Sequence, residues 1–191
     1  MRYIILAILL VSTTPPLEAA APWQSVKKFF GYAYPENKGE VRVLLASDTD
    51  GALIEVKGGY RVFDPYTKER ISMGFLGKSF SVFPTAEGIK WGEKFPGVYQ
   101  VHIIPNREEY KILVNGIEYS GSVTVYQVQG RIHVINHVQL EDFVVSQLSS
   151  QITEPLPYEA LSAVTMVART EAAYYATNDS GTFWDVAAQN I

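Results

Sequence analysis

The chain has 191 residues, of which 47% are hydrophobic and 19% charged, a composition that is typical of a globular domain and excludes a disordered one. Its net charge of −4 argues against a general nucleic-acid-binding protein, which would show a basic stripe. The sequence contains no cysteine, which excludes disulfides, thiol nucleophiles and cysteine-ligated zinc.

The first 21 residues have the pattern of a secretory signal peptide. Met1 and Arg2 supply a positive start, residues 3–11 are apolar, and residues 19–21 are small alanines suited to cleavage. The apolar run is too short to span a bilayer. We therefore expect export to the periplasm or the cell exterior, no membrane attachment after cleavage, and a mature lead at residues 22–39.

Short strands joined by tight turns are predicted between residues 40 and 137. The predicted strands are 41–46, 52–57, 60–63, 79–83, 88–91, 98–104, 110–114, 117–119, 122–128 and 131–136. Asn115-Gly116 separates two of them and is the strongest short signal for a hairpin, and Gln129-Gly130 separates two others. Residues 64–67 are predicted to form a turn.

Helical periodicity replaces the strand pattern at Leu140. A short helix is predicted over 140–147, with acidic residues in its first turn, where they favour the helix dipole. Residues 149–155 form a polar link, and Pro157 begins a second helix that ends near residue 176.

The spacing of apolar residues predicts one buried face on the second helix. Its members recur at three- and four-residue steps: Leu161, Val164, Ala168, Ala172 and Tyr175. Strands followed by helices predict an α+β domain, in which a curved antiparallel sheet or a small barrel is packed by two helices.

The distribution of histidines and carboxylates limits the chemistry. His133 and His137 share one face of a predicted strand, but about 13 Å separates them at 3.3 Å per residue, so no metal site is predicted. Five carboxylates surround Arg169 in the helical region: Glu141, Asp142, Glu154, Glu159 and Glu171. They can act on a glycosidic bond as general acids or bases, or they can be helix caps and surface charges. Arg169 can equally form a structural ion pair with Glu141 or Asp142.

Several motifs in a fixed order resemble the SpoIID/LytB family, the stage II sporulation protein D and amidase-enhancer domain. They are R-V-F-D at 61–64, the V-N-G hairpin at 114–121, V-I-N at 134–136 followed by L-E-D-F at 140–143, P-Y-E-A-L at 157–161 and V-A-R-T at 167–170. The resemblance covers about residues 40–191. It implies a protein that acts on bacterial peptidoglycan outside the cytoplasm without a cofactor, in a domain that is incomplete at its C-terminus.

The resemblance also assigns candidate site residues. In catalytic members a glutamate just after the L-E-D helix is the acid, and here that position is Gln151, whose amide cannot exchange a proton but can hydrogen-bond a glycan. Glu154 is a candidate replacement acid, and Arg169 matches the family arginine. Residues expected to contact the substrate are Phe143, Ser150, Tyr158 and Glu159. The family's zinc-binding stretch falls near 186–190, which has neither cysteine nor histidine.

Three functions follow from this resemblance. The first is binding or remodelling of peptidoglycan glycan strands with impaired catalysis, because Gln151 replaces the acid. The second is an active lytic transglycosylase that uses Glu154. The third is a non-catalytic enhancer of a cell-wall amidase, which would then be its partner.

Overall fold

The computed structural model describes residues 39–178 and 182–188. The predicted signal peptide and residues 22–38 of the predicted lead lie outside this part of the chain. No helix among the described residues has both the length and the apolar composition needed to cross a membrane.

In the described part of the chain, twelve strands precede two helices and a short strand follows them. The strands are β1 (Glu40–Thr49), β2 (Ala52–Val56), β3 (Tyr60–Phe63), β4 (Arg70–Gly74), β5 (Lys78–Thr85), β6 (Gly88–Trp91), β7 (Glu93–Pro96), β8 (Gln100–Pro105), β9 (Ile112–Val114), β10 (Ile117–Tyr119), β11 (Ser122–Val128), β12 (Arg131–Gln139) and β13 (Val186–Ala187). The helices are α1 (Leu140–Gln151) and α2 (Tyr158–Thr177).

The strands form two sheets. The seven-stranded sheet has the order β13-β1-β12-β11-β8-β3-β4, and the six-stranded sheet has the order β10-β9-β2-β5-β6-β7. Neighbouring strands are antiparallel except for β1 and β13, which pair in parallel. The predicted α+β class is confirmed, and the sheets stay open and do not close into a barrel.

The main core lies between the two sheets, because apolar side chains at alternate strand positions point inward. In β2, for example, Ala52, Ile54 and Val56 are buried against residues of the seven-stranded sheet such as Val101 and Val134. Trp91 is fully buried, and its indole Nε1 donates to the carbonyls of Ile54 (3.2 Å) and Phe80 (3.1 Å). Each such fully buried apolar side chain contributes roughly 1.5–3 kcal/mol to folding.

A second core holds the helices against the β1–β12 end of the larger sheet. It contains Val41, Val43, Val138, Phe143, Val144, Leu148, Ala168 and Ala172. On α2 only Ala168 and Ala172 of the predicted face are buried, whereas Leu161 is 40% and Val164 39% exposed. Among the described residues, α2 meets its neighbours through a narrow stripe of small side chains, so the wider predicted face is only partly correct.

The helix boundaries differ slightly from those predicted. α1 continues four residues past 147, because Leu148 is buried and its carbonyl accepts from the Ile152 N–H at 2.8 Å. Ser149 and Ser150 are therefore helical and not part of the link. Pro157 precedes α2, with extended ψ of 148°, and does not form its first turn.

Three strands were absent from the prediction: β4, β7 and β13. Their sequences, RISMG, EKFP and VA, show little alternation of apolar and polar residues. They are placed by pairing with stronger neighbours, β4 with β3, β7 with β6 and β13 with β1.

Candidate functional site

Helix α1 is positioned by a direct junction with β12. Gln139 ends the strand and Leu140 begins the helix, with no loop residue between them. Phe143, Val144 and Leu148 turn toward the second core and hold α1 across the sheet. Side chains on the adjacent side of α1, next to those packed in the second core, line a cavity.

The α1 cavity has a volume of about 280 Å³ and lies between α1, the β9–β10 hairpin and the strands β1 and β12. Asp142, Ser146 and Ser150 line it at four-residue intervals, so they lie on one side of the helix. The other lining residues are Val43, Leu45, Ile117, Glu118, Tyr119, Ser120, Asn136, Val138, Phe143, Gln147 and Ala188. The cavity is therefore lined by both apolar and polar side chains.

The turn at residues 120–122, beside this cavity, is held by hydrogen bonds from β12. Asn136 of β12 donates from Nδ2 to the backbone carbonyls of Ser120 (2.8 Å) and Ser122 (3.0 Å). Gly121 lies between them at φ +84°, and a Cβ there would come within 2.0 Å of the His137 carbonyl oxygen. Only glycine fits this position, so the Ser120 wall of the cavity is held rigidly.

Two further cavities adjoin the α1 cavity. The Trp184 cavity, about 230 Å³, shares Phe143 and Gln147 with it and is also lined by Glu171, Ala172, Tyr175, Trp184, Asp185, Val186 and Ala187. The Arg61 cavity, about 320 Å³, shares Ser120 and Asp142 with it and is also lined by Glu40, Arg61, Ile104, Pro105, Arg107, Glu108, Lys111, Gly121, Ser122 and Gln139. The three together are called the cavity row.

Asp185 anchors the segment that forms one wall of the Trp184 cavity. Its carboxylate, only 1% exposed, accepts from the Arg42 backbone N–H (2.8 Å) and from Arg42 Nε (3.0 Å) and Nη2 (2.5 Å). Nearby, Phe183 stacks on Tyr126 with ring centroids 4.9 Å apart. Local sequence patterns could not predict the Arg42–Asp185 pair, because the two residues are 143 positions apart.

Arg169 forms the structural ion pair that was one of the two alternatives. Its Nε donates to Glu141 Oε1 at 2.8 Å and its Nη2 to Oε2 at 2.7 Å. The hydrogen bond from Arg169 lowers the pKa of Glu141. Arg169 is not among the lining residues of the cavity row, so the pair joins α2 to the start of α1.

The structure brings only some of the predicted site residues together. Phe143 and Ser150 line the α1 cavity. Gln151 is the next residue, exposed at the last position of α1. Glu154, Tyr158 and Glu159 are exposed on the link and the first turn of α2, outside the cavity row.

The buried His102 and the largely buried His137 form a polar pair that sequence reasoning missed. The rings of His102 and His137 lie 4.8 Å apart, with His102 Nε2 2.7 Å from Ser122 Oγ and His137 Nε2 2.8 Å from Thr124 Oγ1. Burial first, and the charge of Arg42 second, lower the pKa of His137 to about 4, and burial holds the pKa of His102 well below its usual value. His137 is thus neutral at pH 7, and its 3.8 Å contact with Glu40 is not an ion pair at that pH.

The segment that contains both helices also identifies the family. Residues 128–190 match the family model SpoIID, described as Stage II sporulation protein. This part of the chain belongs to the SpoIID family. The SpoIID match indicates a cell-wall-related role.

The chain is also similar to longer proteins. An uncharacterized protein of Chlamydia muridarum is 36% identical over 152 residues, which are 78% of this chain and 52% of the relative. One of Chlamydia pneumoniae is 36% identical over 153 residues, 78% of this chain and 55% of the relative. One of Brachyspira hyodysenteriae is 29% identical over 144 residues, 75% of this chain and 38% of the relative. The chain thus spans about half the length of the chlamydial relatives, and no solved structure matches it significantly.

Proposed function

We propose that this protein binds glycan strands of bacterial peptidoglycan along the cavity row, outside the cytoplasm, with impaired or absent cleavage. The observation that carries the proposal is the row itself. Three adjoining cavities each have lining residues on α1, and α1 lies in the segment that matches the SpoIID family. A row of this kind suits an extended polymer better than a single compact ligand.

The lining of the cavities is suited to sugars. Tyr119, Tyr175 and Trp184 offer aromatic rings with polar tips, which can pack on the apolar faces of sugar rings. Between them, the Ser146 and Ser150 hydroxyls and the Gln147 amide can bond to sugar hydroxyls and N-acetyl groups. Ligand sites typically combine an apolar floor with a few polar groups in this way.

Gln151 is the reason to propose binding and not efficient cleavage. It occupies the position of the acid in the resemblance, as the last residue of α1 and directly after Ser150, which lines the α1 cavity. An amide can hold a sugar oxygen by a hydrogen bond but cannot protonate the leaving group. Loss of general acid–base catalysis typically lowers a rate by about 10²–10⁴-fold.

The test is binding by a variant that fills the α1 cavity. Ser150→Trp places a large ring at a lining position, and Ser149→Trp makes the same change at the adjacent exposed position, which does not line the cavity row. We expect Ser150→Trp to weaken co-sedimentation with purified peptidoglycan, and affinity for stem-free strands, by about tenfold or more. Ser149→Trp should match the unchanged chain. Equal binding by the two variants would refute the proposal.

Active cleavage by Glu154 is a second candidate function, supported by its place in the α1–α2 link. Glu154 is exposed there, three residues after Gln151. Digestion of stem-free glycan strands should then release anhydro-muropeptide ends, and Glu154→Ala should abolish them. Failure to form product at any protein concentration excludes this function and leaves glycan binding intact.

An enhancer role for a wall amidase is a third candidate, supported by the outer surface of α2. Met166, Val167 and Tyr174 are 63%, 67% and 63% exposed and form an open apolar groove with Thr170, Glu171 and Tyr175. Exposed apolar surface of this kind is typical of protein interfaces. The measurement is the rate of a purified wall amidase with the unchanged chain and with Met166→Glu/Val167→Glu.

A further inference from the structure

The seven-stranded sheet buries side chains on both of its faces. Its inner face packs on the smaller sheet through residues such as Val101, Val125 and Val134. The side chains that alternate with these along each strand point to the opposite side, which is called the outer face. Six described residues of the outer face are each 9% exposed or less: Phe63, His102, Ile104, Ser122, Thr124 and Ile135. Since a sheet face that is open to water leaves its side chains exposed, the outer face is covered.

The described segment 182–188 covers only one side of the outer face. Phe183 stacks on Tyr126 of β11, and the segment then runs to β1, away from β3. Phe63 lies on β3, two strands from β11 in the other direction, about 10 Å at 4.8 Å for each strand. The three buried apolar residues of the outer face also belong to neither of the two cores that the described residues form. A further segment must therefore cover β8 and β3.

The expected mature lead, residues 22–38, has a composition that suits this role. Its 17 residues include five aromatic ones: Trp23, Phe29, Phe30, Tyr32 and Tyr34. Burial of such rings is favourable, and they pack well against neighbours such as Ile104 and Phe63. Apart from the expected signal peptide, the other segments outside the described residues are 179–181 and 189–191. Three residues span at most about 11 Å, which is too short to cover several strands.

The lead also joins the described chain at the edge of the outer face. Gly39, which follows the lead, accepts from the Leu140 N–H at 3.1 Å. Glu40 lies on the outer face, with its Oε2 3.8 Å from His137 Nδ1. β1 and β3 are four strands apart, about 19 Å. The lead would span about 25 Å even at the short rise of a helix, so it is long enough to cross the whole face.

The apolar groove on α2 is a poorer site for the lead. Met166 and Val167 are 63% and 67% exposed there, so the groove is open to water. The outer face of the larger sheet, in contrast, is closed. A lead seated on α2 would leave the burial of Phe63 and Ile104 without a cause.

We propose that residues 22–38 pack on the outer face of the larger sheet, over β11, β8 and β3, as a third layer of the domain. The aromatic rings of the lead then bury the apolar residues of this face and keep water from the His102–His137 pair. Because Phe183 borders the covered area, the lead also supports the segment that forms one wall of the Trp184 cavity. This proposal does not depend on the proposed function, and it leaves the α2 groove free for a partner.

Crosslinking is the direct test, because the chain has no cysteine of its own. Ser25→Cys or Ala33→Cys, which keep every aromatic ring of the lead, is combined with Gln100→Cys on the outer face of β8. The matched partners are Lys90→Cys on the smaller sheet and Val167→Cys on α2, both exposed. We expect a short bismaleimide to join the lead to Gln100→Cys within one chain and to leave both control pairs unjoined. Equal or preferential crosslinking to either control, or no crosslink to Gln100→Cys from either lead position, overturns the proposal and leaves the proposed function intact.

Hydrogen exchange of the full chain gives a second test. Phe29→Glu/Phe30→Glu should increase exchange in β3, β4 and residues 182–188 by about tenfold or more, because these parts lose their cover. Gln24→Glu/Ser25→Glu adds the same charge at polar positions of the lead and should leave exchange unchanged. Equal exchange in the two variants overturns the proposal. If Phe29→Glu/Phe30→Glu does not fold, the crosslinking result decides.

Discussion

Arg169 and Glu141 face each other as a two-pronged ion pair between the two helices. The guanidinium donates through Nε and Nη2 to the two oxygens of one carboxylate, at 2.8 and 2.7 Å. Glu141 lies in the first turn of α1, where its charge also favours the helix dipole. Arg169 thus joins α2 to the start of α1.

Removing this ion pair should cause a small, salt-dependent loss of stability. Both side chains are exposed, so solvent and ions screen their attraction. We expect Arg169→Ala to lower the melting temperature slightly at low salt and hardly at all at high salt. The exchanged pair Arg169→Glu/Glu141→Arg should recover part of the loss. A large decrease that persists at high salt would show that Arg169 has a different structural role.

Acidification should destabilise the protein through the buried histidines. Since the pKa of His137 is about 4 in the folded chain, the unfolded chain binds more protons below about pH 6.5, and stability is lost as pH falls from there to about 4. The pKa difference of His137 alone corresponds to about 3 kcal/mol. Urea unfolding at pH 7 and at pH 5 measures this loss of unfolding free energy. His137→Gln should flatten the dependence, and an unchanged slope in that variant would contradict the assignment.

Loss of the Asp185 carboxylate should loosen the wall of the Trp184 cavity. Asp185 is buried, but its partner Arg42 is 37% exposed, so we expect Asp185→Ala to cost about 1–3 kcal/mol of unfolding free energy. The backbone bond from the Asp185 N–H to the Arg42 carbonyl should weaken with it. Hydrogen exchange at Val186 and Ala187 is the direct measurement. Asp48→Ala, on the same strand as Arg42, is the control and should leave that exchange unchanged.

Restoring a carboxyl at the Gln151 position tests whether catalysis was lost there. We expect Gln151→Glu to increase the release of anhydro ends from stem-free strands by about 10²-fold or more over the unchanged chain. Gln147→Glu, one turn earlier on α1, adds the same charge and should not increase the release of anhydro ends. If Gln151→Glu stays inactive while binding strands normally, the missing acid is not the only barrier to cleavage.

The sequence predicted the parts of this molecule that depend on local patterns. The V-N-G hairpin, the change to helix at Leu140 and the class of fold are all confirmed. Edge strands such as β4 and β7 were missed, because their pairing comes from a neighbour and not from their own alternation.

Contacts between distant strands and segments could not be predicted. In the sequence, His137 was compared with His133 because both lie on one strand. In the structure, the His137 ring lies beside His102, which is two strands away across β11. Arg42 and Asp185 meet only once the sheets and helices have packed. Phe143 and Ser150 both line the α1 cavity, although the prediction put Ser150 in the link after the helix and not on the helix itself.

The absence of any loop between β12 and α1 has one more consequence. A helix turns by about 100° for each residue, so adding or deleting one residue at this junction would rotate Phe143 out of the second core and carry Ser150 off the cavity wall. The orientation of the cavity-facing side of α1 therefore depends on the hydrogen-bond register between β12 and β1.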